Sequence, residues 1–348
     1  MRYLPSITGV CALSLTAAAP PPPPLPADAF PPAAQLEPTT QAFIDSLAAK
    51  GGPPIYALPI AAARAFLDTL QSGPIDVLPA DVDDEVLPVG PTGHVGVRIV
   101  RPLGSPEGLP VILYFHGGGW ILGDEKTHDR LVRALAIGAR AAVVFVKYTP
   151  SPEAQFPVPL QQAYAATRYI AEHGADFGLD SSRLAVAGDS VGGNMAIAVT
   201  RLAKAHGGPE ILHQALFYPV TNASFFDASY QQLANGPWLS RASMQWFFNA
   251  YAPKLVDRLD PYVAPLLATV DELKDLPPAL VITDENDVLR EEGEAYAHKL
   301  MKAGVTVNAV RYLGTIHDFM MLDALADTPA ARSAVALASE TLHEALAR

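Results

Sequence analysis

Cysteine occurs once in the 348 residues, at position 11. That excludes an internal disulfide, a thiolate zinc cluster and a cysteine nucleophile in the body of the chain. Basic residues are the minority, 24 Lys and Arg against 36 Asp and Glu, and they form no run. A net charge of −12 disfavours phosphate backbones and anionic membrane surfaces, which argues against nucleic acid as a partner. No apolar run outside the N-terminus approaches the roughly 18 residues of a spanning helix, so no integral membrane segment is expected. What is abundant is apolar side chain, 50 % of the residues, with only 17 % charged. A large packed core follows, and with it a globular fold.

The first residues, MRYLPSITGVCALSLTAAAP, carry one basic side chain, a weakly apolar stretch and a small-residue end at Ala17–Ala19. Residues 1–19 read as a secretory signal, which implies export to a periplasm or to the outside. Pro5, Ser6, Thr8 and Gly9 dilute the apolar stretch, and a cytosolic leader is the alternative. Residues 20–36 are rich in Pro and Ala and read as an extended linker. Folded structure is expected over residues 37–348.

From Thr39 to Gln71 the positions Phe43, Ile44, Leu47, Ala61, Ala65, Phe66 and Leu70 recur at helical spacing around Gly51-Gly-Pro-Pro54, which predicts two helices. The period then changes. Val95, Val97 and Ile99 alternate, and short runs rich in Val, Ile and Phe follow at Val111–Phe115, Ala142–Val146, Leu184–Ala187, Ala279–Ile282 and Val305–Val310. Most are separated by helical patterns, as buried parallel strands require, and the expected fold is α/β with a mostly parallel sheet. The alternation breaks between residues 220 and 260, where Phe225, Phe226, Tyr230, Trp238, Trp246, Phe247, Phe248 and Tyr251 cluster. Together with residues 37–75 this insertion reads as a helical cap over the strand ends, where an open α/β sheet places its ligand; a peripheral packing layer is the alternative.

Chemistry concentrates at those ends. Gly188-Asp-Ser-Val-Gly192 fits G-x-S-x-G between a strand and a helix, the setting in which a tight turn lifts a serine hydroxyl toward a base. The helix N-terminus behind it favours developing negative charge. His116-Gly-Gly-Gly-Trp120 follows the strand Val111–Phe115, and its glycines leave backbone N–H groups free to meet an oxyanion. A serine nucleophile also needs a histidine base and an acid to orient it. His128, His173, His206, His298 and His343 fall in helical patterns and read as solvated. His317 stands in a loop after the last strand, and the loop after Ala279–Ile282 offers Asp284 and Asp287 as acids.

These motifs resemble the hormone-sensitive-lipase-like family of carboxylesterases, in the branch with a GDS[AV]GG elbow, of the α/β-hydrolase fold. Four of them carry the resemblance over Glu37 to the C-terminus: His116–Trp120, Tyr148-Thr-Pro-Ser-Pro-Glu-Ala-Gln-Phe-Pro157, Gly188–Asn194, and Asp287-Val-Leu-Arg-Glu-Glu-Gly293. The resemblance implies that Asp287 rather than Asp284 is the acid, that the N–H groups of Gly118, Gly119 and Val191 form the oxyanion hole, and that a helical cap is present. Asp318 departs from the pattern, since glycine is commoner after the histidine, and puts substrate preference in question.

The expected function is a serine carboxylesterase for small or short-acyl esters, acting through Ser190, His317 and Asp287 and an acyl-enzyme. No metal or organic cofactor is expected. Trp120, Trp238, Phe319 and Met320 are candidate pocket residues. The partner is a small-molecule ester, and a homodimer is compatible with the sequence. Two alternatives are an amidase or peptidase using the same triad, and a non-catalytic binder of the same fold, which in this family loses the histidine that His317 supplies here.

Overall fold

The longest apolar runs of the sequence become the central strands of one sheet. In the computed structural model, which describes residues 35–347, the strands are β1 (Ala80–Leu87), β2 (Val95–Pro102), β3 (Leu109–Phe115), β4 (Ala142–Lys147), β5 (Leu179–Asp189), β6 (Gln214–Phe217), β7 (Ala279–Asn286) and β8 (Val307–Ile316). The proposed signal over residues 1–19 and residues 20–34 of the linker lie outside the described residues. The strand order is β1-β2-β4-β3-β5-β6-β7-β8. β2 pairs antiparallel with β1 and β4, and all other pairs are parallel.

All seven residues of β3 are buried, as are the first five of β4 and the stretch Leu184–Asp189 of β5. Strands covered on both faces have no polar alternation, and each large apolar side chain buried there stabilises the fold by roughly 1.5–3 kcal/mol. The covering helices lie on either side of the sheet: α3 (Asp129–Ala139), α4 (Val158–His173), α5 (Val191–His206), and, after the insertion, α9 (Arg290–Lys302) and α10 (Pro329–Leu346). α3 packs on α10 and α4 on α5.

Two strands were not expected. β1, sequence ADVDDEVL, is mostly exposed and buries only Leu87. Its acids instead meet bases on the neighbouring strands: Asp84 sits opposite Arg98 and accepts from it at 2.6 Å, and Lys147 reaches the same carboxylate at 2.7 Å. An acidic edge strand of this kind also resists pairing with another chain. β6 has only four residues. β8 begins and ends later than Val305–Val310 suggested, running to Ile316, and β7 extends to Asn286, so that Asp284 lies in the strand rather than in the loop after it.

Residues 37–75 form α1 (Pro38–Lys50) and α2 (Ile60–Leu70), with Glu37 capping α1 by accepting from the N–H groups of Thr39 and Thr40. The aromatic insertion contains α6 (Ala228–Gln232) and α7 (Arg241–Tyr251) and contributes no strand to the sheet; α8 (Val270–Leu273) follows it. No described helix is long and apolar enough to cross a membrane.

Candidate active site

β5 runs straight into α5 through Ser190, which adopts φ 55° and ψ −120°. A non-glycine residue held there stores of order 1–3 kcal/mol, and the surroundings must impose it. They do so through backbone bonds: Ser190 N–H donates to Phe217 O at 2.8 Å, and Ser190 O accepts from Val220 N–H at 3.1 Å and Asn194 N–H at 3.2 Å. The turn is tight enough that a Cβ at Gly192 would fall 1.9 Å from Phe115 O, so only glycine fits between α5 and the end of β3.

The turn presents Ser190 Oγ 2.9 Å from His317 Nε2, and His317 Nδ1 lies 2.7 Å from Asp287 Oδ2. All three residues are buried. β7 and β8 are parallel neighbours, so their ends bring Asp287 and His317 together across 30 residues of sequence. Asp287 Oδ1 accepts from Leu289 N–H at 3.0 Å, which leaves Oδ2 to the imidazole. Burial opposes charge on His317, but the carboxylates of Asp287 and Asp318 outweigh it and raise the imidazole above its ordinary value. Asp284 Oδ1 and Oδ2 have no hydrogen-bond partner among the described residues, and burial, reinforced by Asp287, raises this carboxyl well above the usual range. Asp284, Asp287 and His317 place ligand atoms within 4.8 Å of one another and are the one set among the described residues able to hold a metal ion.

Gly118, Gly119, Ser190 and His317 share a cavity of about 530 Å³. Among the described residues nothing accepts from the N–H of Gly118 or Gly119, and the N–H of Val191, first in α5, has no intrahelical acceptor. The cavity walls come from both flanking segments: Leu47, Tyr56 and Phe66 from residues 37–75, and Trp238, Leu239 and Phe247 from the aromatic insertion. A larger surface groove of about 1070 Å³, bordered by α3 and α10, contains none of these site residues.

Of the four expected pocket residues only Trp238 lines this cavity. Trp120 is fully buried and stacks on Tyr251 with 4.0 Å between ring centres, and its backbone holds φ 59°. Phe319 packs between Tyr218 and Tyr312 and Met320 is sealed in the core, so these three are structural.

Sequence reasoning missed the support beneath the turn. Asp189 is fully buried and accepts from Tyr114 OH at 2.6 Å and Gly117 N–H at 3.0 Å, with His128 Nε2 at 3.3 Å. Burial alone would raise its pKa, but His128 and these donors hold it below the usual carboxylate value. His128, expected to be solvated, is buried; burial would lower its pKa and Asp189 reverses that, raising it. His116 is a buried structural residue. It stacks on Tyr148 at 4.3 Å, and burial together with His128 pushes its pKa down to about 4.

The tyrosine-proline motif holds the glycine loop from the other side. Tyr148 OH donates to His116 O at 2.9 Å and Ser151 N–H to Trp120 O at 2.7 Å. Arg64 of α2 forks onto Glu153 with two bonds of 2.7 Å and donates to Ile121 O at 2.9 Å. Glu292, in the motif after Asp287, accepts from Thr221 and Asn222 N–H at 2.6 and 3.0 Å and anchors the start of the aromatic insertion.

An eight-stranded, mostly parallel sheet with a serine at a strained strand-to-helix turn, a histidine beyond the last strand and an acid beyond the strand beside it defines a hydrolase of the α/β type. Residues 112–321 match the alpha/beta hydrolase fold family. The chain belongs to that family, in its hormone-sensitive-lipase-like carboxylesterase branch. It is similar to the carboxylesterase NlhH of Mycobacterium tuberculosis, 39 % identical over 262 residues that cover 74 % of this chain and 81 % of the relative. It is also similar to the solved structure of a thermostable esterase from Pseudomonas putida, with a TM-score of 0.88, 47 % identity, and coverage of 90 % of this chain and 98 % of that one. An ester hydrolase from the metagenome of Lake Arreo, solved with a derivative of bipyridine phosphonate, matches with a TM-score of 0.83 and 36 % identity over 90 % of this chain and 100 % of that one.

Proposed function

We propose that the chain hydrolyses small or short-acyl carboxylic esters by a serine mechanism with an acyl-enzyme intermediate. Ser190 Oγ attacks the ester carbonyl while His317 Nε2 takes its proton. The tetrahedral oxyanion is met by the N–H groups of Gly118, Gly119 and Val191, and the helical segments over residues 37–75 and 220–260 act as a cap that bounds the acyl and alcohol space. Collapse breaks the bond to the alcohol oxygen, which receives the proton from His317, and leaves Ser190 acylated. Water, deprotonated by the same imidazole, then releases the acid. Asp287 holds His317 Nδ1–H and stabilises the imidazolium in both steps. The observation that carries this reading is the unbroken chain from Ser190 Oγ to His317 Nε2 at 2.9 Å and from His317 Nδ1 to Asp287 Oδ2 at 2.7 Å, at the floor of a cavity lined by two unpaired glycine N–H groups.

Hydrolysis of a p-nitrophenyl ester series with matched amides, on wild type and Ser190→Ala, tests it. Loss of the nucleophile should cost about 10⁶-fold in kcat with the fold intact. A phosphonate directed at serine should label Ser190 in wild type, and chelators should leave the rate unchanged. Loss of activity to a chelator with indifference to the phosphonate would assign the chemistry instead to a metal at Asp284, Asp287 and His317.

A further inference from the structure

His317 makes one contact that the serine mechanism has not used. The ring of Tyr218 packs on the imidazole with 4.9 Å between centres and 65° between planes, an edge-to-face arrangement. Tyr218 is 1 % exposed, and its hydroxyl has no hydrogen-bond partner among the described residues. What this side chain offers the site is therefore its ring. The backbone ties it to both strands that carry the nucleophile and the acid. Tyr218 follows β6, which lies between β5 and β7. Its N–H donates to Ile282 O of β7 at 2.6 Å, and Phe217 O just before it accepts from Ser190 N–H at 2.8 Å. Tyr218 also holds φ 37°, a left-handed conformation that a bulky residue keeps only where its surroundings impose it. Strain of that kind gathers at functional sites, and here it falls on the residue packed against the base.

Acylation changes what holds the imidazole. Before it, Nδ1 meets Asp287 at 2.7 Å and Nε2 meets Ser190 Oγ at 2.9 Å. In the acyl-enzyme Ser190 Oγ is esterified and has no proton to give, so Nε2 loses that bond. When Nε2 then takes a proton from water, Asp318 Oδ1, 3.4 Å away, draws the new N–H off the line to Ser190 Oγ, where the proton must go. The bond to Asp287 and the ring of Tyr218 are left to resist that pull. Resting on the serine reading above, we infer that Tyr218 is a positioning residue for deacylation, its ring holding His317 in line between water and Ser190 Oγ.

The step itself balances without any other group. The water oxygen bonds to the acyl carbon as Nε2 takes one of its protons. The bond from the acyl carbon to Ser190 Oγ then breaks, Oγ receives that proton from Nε2, and the acid leaves. Nε2 thus serves two oxygens in turn, and a small displacement of the imidazole costs more here than in acylation, where the serine hydroxyl itself helps to hold it.

The test follows p-nitrophenyl acetate through its first and later turnovers, at one pH, in wild type, Tyr218→Phe, Tyr218→Leu and Tyr218→Met. Tyr296→Leu controls for lost core packing: Tyr296 is as deeply buried, its hydroxyl also has no hydrogen-bond partner among the described residues, and no residue of its helix α9 lines the cavity. Tyr218→Phe keeps the ring and should stay within about threefold of wild type in kcat. Tyr218→Leu and Tyr218→Met should release the first p-nitrophenol at nearly the wild-type rate and then turn over about 10- to 100-fold more slowly, with KM falling alongside kcat and acetyl accumulating on Ser190. Tyr296→Leu should show no such split. Unchanged turnover in Tyr218→Leu and Tyr218→Met, or equal slowing of both phases, overturns the proposal. So does the same split in Tyr296→Leu, or a loss in Tyr218→Phe as large as in Tyr218→Leu. Where the leucine and methionine variants do not fold, a crystal structure of wild type phosphonylated at Ser190 decides: His317 should stay against Tyr218, and an imidazole swung onto Asp318 overturns the proposal. Turnover surviving in Ser190→Ala would refute the serine reading, and the proposal with it.

Discussion

The carboxylate of Asp189 and the imidazole of His128 face each other at 3.3 Å, both side chains fully sealed from solvent, beneath the turn that carries Ser190. Asp189 also holds Gly117 N–H, so one buried pair ties the serine turn to the glycine loop. Removing one partner of such a pair leaves an uncompensated charge, a loss of about 3–5 kcal/mol. Asp189→Ala should therefore lower Tm by roughly 5–10 °C and reduce kcat as the loop loosens. Circular dichroism melts and esterase assays on one preparation would check this. An unchanged Tm would show that the pair is dispensable.

The linkage of this pair to pH has two limbs. Asp189 is depressed below its unfolded value, so its contribution is present above the unfolded carboxylate pKa and is lost as pH falls through the folded one. His128 is raised, so its contribution is complete below about 6.5, the ordinary histidine value, and is lost as pH climbs through its folded pKa. Tm should pass through a broad maximum between those limits in wild type. In Asp189→Ala the alkaline limb attributable to His128 should disappear.

Asp284 and Asp287 show how far the site could be read from sequence. Both stand near His317, and residue spacing alone left the choice open; family resemblance favoured Asp287, and the geometry gives Asp287 the bond of 2.7 Å to Nδ1. Asp284 lies within β7, a strand longer than its apolar run because its last residues are polar, and of these Thr283, Asp284 and Asn286 are still buried. Elements driven by apolar burial were legible for the same reason that they are stable. β1 was not, because its acids hide the strand pattern and their bases lie on other strands. His128 looked like a helix-surface residue because periodicity cannot reveal that a buried carboxylate waits across the fold. Trp120 stood among the candidate pocket residues, and its full burial against Tyr251 takes it out of the cavity.

The bond to His317, which Asp287 makes and Asp284 does not, separates the two acids experimentally. Asp284→Asn keeps the shape of a side chain that makes no bond to His317 and should retain activity within severalfold. Asp287→Asn puts a donor where His317 Nδ1–H needs an acceptor and should cost about 10⁴-fold in kcat. Comparable kcat values for wild type and Asp287→Asn, with Asp284→Asn inactive, would exchange the two roles.

Gly119 lies in the cavity wall with φ 65°, and a Cβ there would fall 1.9 Å from the ring of Phe247 on α7. Alanine at this position must push the loop or the helix aside and so displaces the N–H groups of Gly118 and Gly119 together. Losing one oxyanion donor costs about 10²–10³-fold in kcat, so Gly119→Ala should lose at least that much while the melting temperature falls only modestly. The double variant Gly119→Ala with Phe247→Ala should recover part of the rate, because the obstruction is a side chain. No recovery would place the defect in the backbone conformation instead.

The pH dependence of turnover follows from the charges around His317. Protonated His317 cannot accept the serine proton, so kcat/KM for a non-ionising ester should fall tenfold per unit on the acid side of one ionisation. Burial pulls that ionisation down, but Asp287 on Nδ1 and Asp318 near Nε2 pull it up and prevail, so the limb should lie above the ordinary histidine value of about 6.5 and the enzyme should work best in alkaline solution. Asp318→Asn removes one of the two carboxylates without touching Asp287. Its limb should move to lower pH, extending activity toward acid even if the maximal rate declines. Profiles of wild type and Asp318→Asn on p-nitrophenyl acetate, measured at constant ionic strength, decide the matter. A wild-type limb below 6.5, or a limb that stays in place when Asp318 loses its charge, would show that burial dominates and that Asp318 does not act on the imidazole.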